Sequence, residues 1–256
     1  NSPGVFFKYE TKTAFNYDDG QLYAYKQSAD GESGEWLTLP MDTTSLISCT
    51  QIAMQKGASM FIRHEWMQEI NGKFYITETG EDNFDWADGI EKGGSVPNYV
   101  AASLRKGGTQ YDDVFGRILE FDPQTNKMQP YLEGGFFSDS SGCFSNPDCN
   151  TSVKIGGRTY MVICEDINWY DRGRAGKEGE ENKQFFNEVY FLDMSIANPT
   201  VDDLMRFAIT PKGAEGTGVI FLPDGSLILN IMHPSNENPA PFNRSCTVLI
   251  EGFKKK

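Results

Sequence analysis

Histidine is scarce in this sequence, and several motifs of common enzymes are missing. The 256 residues include two histidines, His64 and His233, which leaves few candidate bases for a serine or cysteine catalytic triad. His64-Glu65 begins like the H-E-x-x-H zinc helix, but position 68 is glutamine. No G-x-S-x-G elbow, P-loop or run of about 18 apolar residues occurs, so these hydrolase and nucleotide sites and a membrane-spanning helix are excluded.

Basic residues are also in the minority. Lys and Arg number 23 against 36 Asp and Glu, a formal net charge of −13. This balance disfavours binding to nucleic acid, which depends on neutralising phosphates with basic side chains. It favours cation binding, because clustered carboxylates bind hard metal ions. An acidic surface also keeps proteins soluble, and for charge alone we prefer that explanation.

The cysteines form no C-x-x-C pair, which excludes a zinc ribbon and a thioredoxin-like motif. Cys143 and Cys149 bracket a short loop and could form a disulfide. The number of cysteines is odd, so at least one is free or has a partner elsewhere. Asn150 and Asn243 begin short glycosylation sequons, a weak signal.

Short runs rich in aromatic and β-branched residues recur between turn formers such as Asn71-Gly72 and Gly156-Gly157, which predicts β-strands joined in hairpins. A glycine followed by hydrophobic and acidic residues recurs faintly along the chain, as repeated blades would require. We therefore predict an all-β single domain over residues 1–256, with a sandwich or a β-propeller favoured over a small closed barrel. The predicted strands are 5–10, 21–26, 73–79, 117–122, 158–164, 188–194, 218–222, 226–231 and 247–253.

Helix is predicted only around residues 96–107, and long polar surface loops are predicted over residues 80–98 and 170–184. The acidic stretch 82–89 lies in the first of these loops. Its oxygen ligands do not follow the EF-hand spacing, so we interpret it as a solvated loop.

Carboxylates at strand ends and in tight turns are the remaining candidates for chemistry. Glu215 is the most distinctive, since it lies among three glycines directly before a hydrophobic strand and would have little steric cover. In a propeller, loops from several blades converge on the axis, where such residues could share a metal ion that activates water for hydrolysis. Each residue could also be an ordinary turn or cap residue. We prefer that interpretation for Glu78, Glu165 and Asp166 and the metal interpretation for Glu65 and Glu215; the candidate set is Glu65, Glu78, Asp148, Glu165, Asp166 and Glu215.

Several segments in order resemble the C-terminal portion of the PhoX-type alkaline phosphatases. They are the acidic turn and Gly-x-Trp-Leu run of "DGQLYAYKQSADGESGEWLTL", the Arg-x-Glu-Trp segment of "RHEWMQEINGKFYITETG", "GRILEFDP", the Pro-Asp of "FFSDSSGCFSNPDCN" and "GAEGTGVIFLPDGSLILNIMHP". The last is the most specific match. The resemblance implies a secreted or periplasmic, six-bladed β-propeller enzyme that hydrolyses small phosphomonoesters with a cluster of iron and calcium ions.

By this resemblance, Glu65 and Glu215 are metal ligands, Asp148 is a further calcium ligand or an outer group, and Glu78 is a weaker candidate. The sequence departs from the family at His64, which replaces a proline, and at Cys149, which separates Asp148 from Asn150. The family's earlier half, with its Thr-Cys-Glu segment, has no counterpart here. We therefore expect a preceding segment, supplied by another chain or lying outside this sequence, together with a leader ahead of Asn1.

Two further functions remain open from the sequence. The same propeller could be a non-catalytic binding or structural module braced by calcium. It could also be a calcium-dependent lactone hydrolase. Metal content and the activity of the complete protein discriminate among the three hypotheses.

Overall fold

The computed structural model describes residues 3–101, 104, 108–167 and 186–253, so the predicted loop over 170–184 lies outside the described residues. The helices in these ranges are α1 (Thr43–Ile47), α2 (Cys49–Gln55), α3 (Ala87–Glu91) and α4 (Asn98–Ala101), with 3₁₀ turns at Tyr17–Asp19 and Val201–Asp203. The strands are β1 (Gly4–Val5), β2 (Phe7–Thr11), β3 (Gly20–Gln27), β4 (Gly34–Thr38), β5 (Met60–Phe61), β6 (His64–Ile70), β7 (Lys73–Glu78), β8 (Glu81–Asp85), β9 (Gln110–Asp113), β10 (Arg117–Asp122), β11 (Lys127–Glu133), β12 (Gly135–Phe136), β13 (Cys143–Phe144), β14 (Pro147–Ile155), β15 (Arg158–Glu165), β16 (Glu188–Asp193), β17 (Met205–Ile209), β18 (Glu215–Phe221), β19 (Leu227–Met232) and β20 (Cys246–Ile250).

The chain divides into two compact units. Unit 1 comprises Asn1–His64, Asn83–Asp112 and Phe121–Gln129, and unit 2 comprises Glu65–Asp82, Asp113–Glu120 and Pro130–Lys256. The assignment of residues 1–256 to one domain stays a prediction, and the two units are described separately here.

Unit 1 is built on an antiparallel sheet in the order β2-β3-β4, with β1 paired to β5. Tyr25 of β3 is fully buried, and its ring packs edge-on against Trp36 at 5.5 Å and Phe121 at 5.7 Å between centroids. Its hydroxyl donates to the carbonyl of Asn126 at 2.9 Å. Burial raises the pKa of Tyr25 to about 12, so the hydroxyl stays protonated and serves as a structural donor.

The helices of unit 1 correct the expectation of one helix. α1 begins after Asp42, whose carboxylate accepts the Ser45 N–H at 3.0 Å, and α2 buries Ala53 and Met54. Of the helix predicted over 96–107, Asn98–Ala101 forms as α4, while residues 102, 103 and 105–107 lie outside the described residues. Short β-branched segments such as "TTSLI" have low intrinsic helix propensity, and none of the α1 residues is buried, so the Asp42 cap is the stabilising contact seen here.

The segment 80–98 was expected to be a solvated loop, and this prediction is wrong. It contains β8 and α3, and Phe84 and Trp86 are buried with their rings 5.0 Å apart. These aromatic side chains give the acidic segment an apolar anchor in the core of unit 1.

Unit 2 contains a four-stranded sheet in the order β14-β15-β16-β17 and a three-stranded sheet in the order β18-β19-β20, both antiparallel throughout. A further sheet has the order β11-β10-β7-β6, and β12 pairs with β13. The β14–β15 hairpin turns at Gly156-Gly157, where φ is 59° and 84°, as a tight two-residue hairpin turn requires. In the β14-β15-β16-β17 and β18-β19-β20 sheets, each strand pairs with its neighbour in sequence, the pattern that hairpin connections produce.

The core of unit 2 lies on both faces of β15. Val162 and Cys164 belong to one apolar cluster, with Leu229, and Met161 and Ile163 belong to another, with Phe144. Because side chains alternate across a strand, a continuous hydrophobic run in a central strand serves two cores at once.

All nine predicted strand segments form strands, and the all-β class with small antiparallel sheets is confirmed. The missed strands of more than two residues are β4, β6, β8, β9, β11, β14 and β17. The β6 sequence "HEWMQEI" is polar and mostly exposed, so it carries no hydrophobic alternation. Cys143 and Cys149 are free thiols, so the disulfide considered from the sequence is not formed. Asn150 is buried, which does not suit a glycan acceptor.

Candidate metal centre

Glu215 is the first residue of β18 and pairs with Met232 at the end of β19. The preceding loop turns at Gly213, where φ is 73°. At Gly218 φ is 57°, and a Cβ atom would lie 2.5 Å from the amide nitrogen of Asn230. These glycines are therefore required by the backbone, and they leave the Glu215 carboxylate half-buried beside the strand ends.

Other charged groups of unit 2 converge on Glu215. Burial is the largest cause of its raised pKa, and the charge of Asp166 is the second. The charge of Glu65 raises this pKa as well, whereas a hydrogen bond from Thr217 and the charge of His233 lower it. Asp166 and Glu65, which are distant from Glu215 in the sequence, therefore both lie within electrostatic reach of it, and these like charges repel Glu215 unless a cation is present.

Asp148, the second residue of β14, is also close to this group. It is buried, and its charge raises the pKa of the Cys164 thiol. The pKa of Cys164 is raised by a hydrogen bond with Cys149, by burial, and then by the charges of Cys149, Asp148 and Glu215. Cys164 therefore lies within electrostatic reach of both Asp148 and Glu215.

Glu78 lies in a buried ion cluster. Its Oε2 accepts a hydrogen bond from Nη1 of Arg117 at 2.6 Å, and the same nitrogen donates to Asp113 at 2.6 Å. Gly80 and Gly116 bring these two segments together, because a Cβ on Gly116 would lie 2.4 Å from the Glu78 carbonyl oxygen. The Arg117 guanidinium thus offsets the charge of Glu78.

Glu165 and Asp166 are neighbours in sequence with different surroundings. Glu165 is buried, and its two oxygens accept the N–H groups of Ser145 at 2.9 Å and Glu188 at 3.0 Å, as the cap interpretation expects. Asp166 is half-buried, and among the charged groups it raises the pKa of Glu215 most. Sequence reasoning treated Asp166 as a turn residue; its position directly after the hydrophobic strand β15 was the available signal.

The donor chemistry around these residues fits a hard cation. The converging groups are carboxylates, and the buried amide oxygens of Asn146 and Asn150, two residues to either side of Asp148, have no hydrogen-bond partner within the part of the chain that the structure describes. Calcium takes six to eight such oxygen ligands. Within residues 3–101, 104, 108–167 and 186–253, no three His, Cys, Asp or Glu side chains form a group that could hold a metal ion. The part of the chain that the structure describes therefore contains no complete cation site.

Residues 5–235 match the family model of the alkaline phosphatase PhoX, so the chain belongs to the PhoX family. The structure is similar to that of Pseudomonas fluorescens PhoX in complex with vanadate, a transition state analogue. The TM-score is 0.66 at 20% sequence identity, over 97% of this chain and 48% of that chain. An endo-arabinase from Bacteroides thetaiotaomicron has a TM-score of 0.37 at 11% identity, over 97% of this chain and 73% of that one. None of the curated proteins matches the sequence.

The likeness to the PhoX structure confirms the fold class expected from the sequence, part of a PhoX-type β-propeller fold. This chain spans about half of the solved PhoX protein, 48% of its length. Among the helices of the described residues, none has the length and apolar character needed to cross a bilayer.

Proposed function

We propose that this chain is part of a metal-dependent phosphomonoesterase of the PhoX type and supplies carboxylate ligands to its cation cluster. The observation that carries the proposal is the convergence of the charges of Glu65 and Asp166 on Glu215. Such a group of carboxylates is expected to bind cations in order to relieve its own repulsion. Family membership over residues 5–235 supports the choice of phosphate ester as substrate.

Each candidate residue has a defined part in this proposal. Glu65 and Glu215 hold cations directly, and Asp166 adds negative charge beside them. Asp148 is a further ligand or an outer group, and Glu78 is a weaker candidate because Arg117 already offsets its charge. Bound calcium and iron would supply activation of water and an offset to the negative charge of the phosphate. Without such cations an acidic chain of net charge −13 would repel its substrate.

The proposal extends to the rest of the enzyme. Because the chain covers 48% of the solved relative, we infer that further cation ligands and groups that bind phosphate come from a companion segment, in the same polypeptide or a second one. The family resemblance supports calcium and iron as the cations and a secreted or periplasmic location. The substrate would be a small phosphomonoester.

Calcium binding tests the proposal directly. The complete protein, this chain together with its companion segment, is stripped with EDTA and titrated with calcium by calorimetry. Hydrolysis of p-nitrophenyl phosphate is measured with calcium and iron and again in EDTA. We expect Glu215→Gln and Glu65→Gln to weaken calcium binding by at least about 10-fold, since each removes a ligand charge. Glu237→Gln is the matched control, because Glu237 is exposed and pairs with Lys212 at the surface.

Three results would overturn the phosphatase proposal: a complete protein that binds no calcium, full hydrolysis by it in EDTA, or full activity when it carries Glu215→Gln. Calcium without iron, together with no phosphatase activity in the complete protein, would instead support the calcium-braced module.

A further inference from the structure

Thr77 of β7 makes contacts with two other strands of unit 2. The side chain is fully buried, and its Oγ1 accepts the backbone N–H of Trp66 in β6 at 3.0 Å. The same hydroxyl donates a hydrogen bond to the backbone carbonyl of Asp148 in β14. The Trp66 carbonyl lies 3.2 Å from it as an alternative acceptor. One hydroxyl on β7 therefore joins backbone groups of two other strands, β6 and β14.

The two strands joined in this way carry candidate cation ligands. Trp66 directly follows Glu65, and the carbonyl that Thr77 contacts belongs to Asp148 itself. β6 and β7 are neighbours in one sheet, whereas β14 belongs to another. The Thr77 hydroxyl thus fixes the spacing between the backbone that holds Glu65 and the backbone that holds Asp148.

Further side-chain bonds join the same two sheets. Thr79 Oγ1 donates to the Pro147 carbonyl at 3.0 Å, and Asn150 Nδ2 donates to the Tyr75 carbonyl at 3.0 Å. These bonds align β7 with β14. Thr77 differs from Thr79 and Asn150 in that its hydroxyl also contacts β6, the strand of Glu65.

The chemistry of threonine suits this position. A hydroxyl can accept one hydrogen bond and donate another at the same time, and the β-branched side chain has few χ1 conformations to lose. Valine would keep the shape but leave the part-buried Trp66 N–H and the buried Asp148 carbonyl without this partner. The position therefore needs a hydroxyl group and not only a side chain of this volume.

We propose that Thr77 is a positioning residue of the cation centre, which holds the Glu65 and Asp148 segments at the separation that cation binding requires. This inference rests on the proposed function, in which Glu65 and Asp148 are ligands. Thr77 acts through the backbone and contacts neither cation nor substrate. Groups that orient metal ligands typically change metal affinity by about 10- to 100-fold when they are removed.

The test compares calcium titrations of the complete protein in which this 256-residue chain carries Thr77→Val, Thr77→Ser or Tyr75→Phe. Tyr75 is the matched control, because it lies on the same strand and its buried hydroxyl donates to Glu120 at 3.0 Å. We expect Thr77→Val to weaken the calcium Kd by about 10-fold or more, Thr77→Ser to restore it to near the parent value, and Tyr75→Phe to leave it unchanged. Urea unfolding in EDTA reports the stability of each variant separately.

Different results would overturn the two proposals. If Glu65→Gln loses calcium while Thr77→Val binds it as the parent does, the inference about Thr77 fails and the proposed function stands. If Tyr75→Phe loses as much affinity as Thr77→Val, the effect is general destabilisation and the inference fails. A complete parent protein that binds no calcium overturns the proposed function and the Thr77 role with it. If the valine variant does not fold, Thr77→Cys, which keeps a weak donor, is expected to bind more weakly than Thr77→Ser, and equal binding would contradict the inference.

Discussion

Arg117 and Glu78 form an ion pair inside unit 2, with Nη1 and Oε2 2.6 Å apart and both side chains almost fully buried. The same Nη1 bonds Asp113 at 2.6 Å, and Nε bonds Glu133 at 2.9 Å. Burial is the main cause of the raised pKa of Asp113, and the charge of Arg117 opposes it. The guanidinium is thus the positive charge at the centre of a buried carboxylate cluster.

Replacing Arg117 with methionine is expected to lower the free energy of unfolding by about 3–5 kcal/mol, because Glu78 and Asp113 would remain buried without that charge. Urea unfolding measures the loss. Arg158→Met is the control, since Arg158 is largely exposed and pairs with Asp193 at 3.1 Å, and we expect about 1 kcal/mol or less. Equal losses in the two variants would show that burial does not decide the stability contribution of the Arg117 cluster.

Gly116→Ala is expected to destabilise the protein more than Gly72→Ala. Both glycines have positive φ, 66° and 85°, so each alanine costs about 1–2 kcal/mol in backbone strain. At Gly116 the added Cβ would also lie 2.4 Å from the Glu78 carbonyl oxygen and 2.5 Å from that of Thr79, whereas nothing lies within 4 Å at Gly72. The extra overpacking is worth about 1–3 kcal/mol. Thermal unfolding of the two variants checks the difference, and similar shifts would contradict the close approach.

A thiol reagent such as Ellman's reagent is expected to modify Cys246 quickly in the folded protein, because Cys246 is exposed. Cys143, Cys149 and Cys164 are buried and should react only after unfolding. Cys246→Ser should remove the fast phase. A fast phase that survives in the double variant Cys49→Ser/Cys246→Ser would show that one of the buried thiols is accessible.

The sequence predicted the strands whose side chains form the cores, because hydrophobic alternation and turn residues both point to them. β15 is an example, predicted over 158–164 and found as Arg158–Glu165. β6 and β14 were missed since "HEWMQEI" is polar and "PDCNTSVKI" begins with residues typical of turns. Both strands are defined by backbone pairing and by contacts with distant segments, and local sequence does not encode such contacts directly.

The sequence also pointed to individual candidate cation ligands more readily than to the residues that surround them in the structure. The glycines around Glu215 drew attention to it, and the structure places Glu65 within reach of its charge. Asp166 carried only the weaker signal of its position after β15, and Thr77 carried none, because the importance of each depends on the residues that face it. Thr77 reads as an ordinary β-branched strand residue, and its contacts with Trp66 and Asp148 come only from the packing of two sheets.

The N-cap of α1 gives a prediction on pH. The pKa of Asp42 is lowered from its ordinary value of 3.8, first by the Ser45 hydroxyl and then by the Ser45 backbone N–H. Because the folded-state pKa is below the unfolded one, its stabilising effect is present above about pH 4 and is lost as pH falls through the folded pKa. Asp42→Ala should lower the urea midpoint at pH 7 but less at pH 3. Asp42→Asn, which can still cap, should be nearly neutral at pH 7, and a carboxyl titration by NMR reads the Asp42 pKa directly.

Asp166→Asn is expected to change stability in opposite directions with and without calcium. In EDTA the carboxylates of Asp166 and Glu215 repel each other, so the neutral amide should raise the free energy of unfolding by about 0.5–1 kcal/mol. With calcium present the same change should reduce the stabilisation that calcium gives, because binding to the folded state alone stabilises it and the variant binds less tightly.

Asp139→Asn is the control for this prediction. Asp139 is exposed, and its carboxylate accepts the Ser141 N–H within its own turn at 2.8 Å. We expect no gain in EDTA and the same calcium response as the parent. Thermal unfolding of the parent and both variants, each in EDTA and in millimolar calcium, gives the comparison. A loss of stability in EDTA for Asp166→Asn would mean that Asp166 is held by favourable contacts, and that like-charge repulsion does not dominate at the Glu215 site.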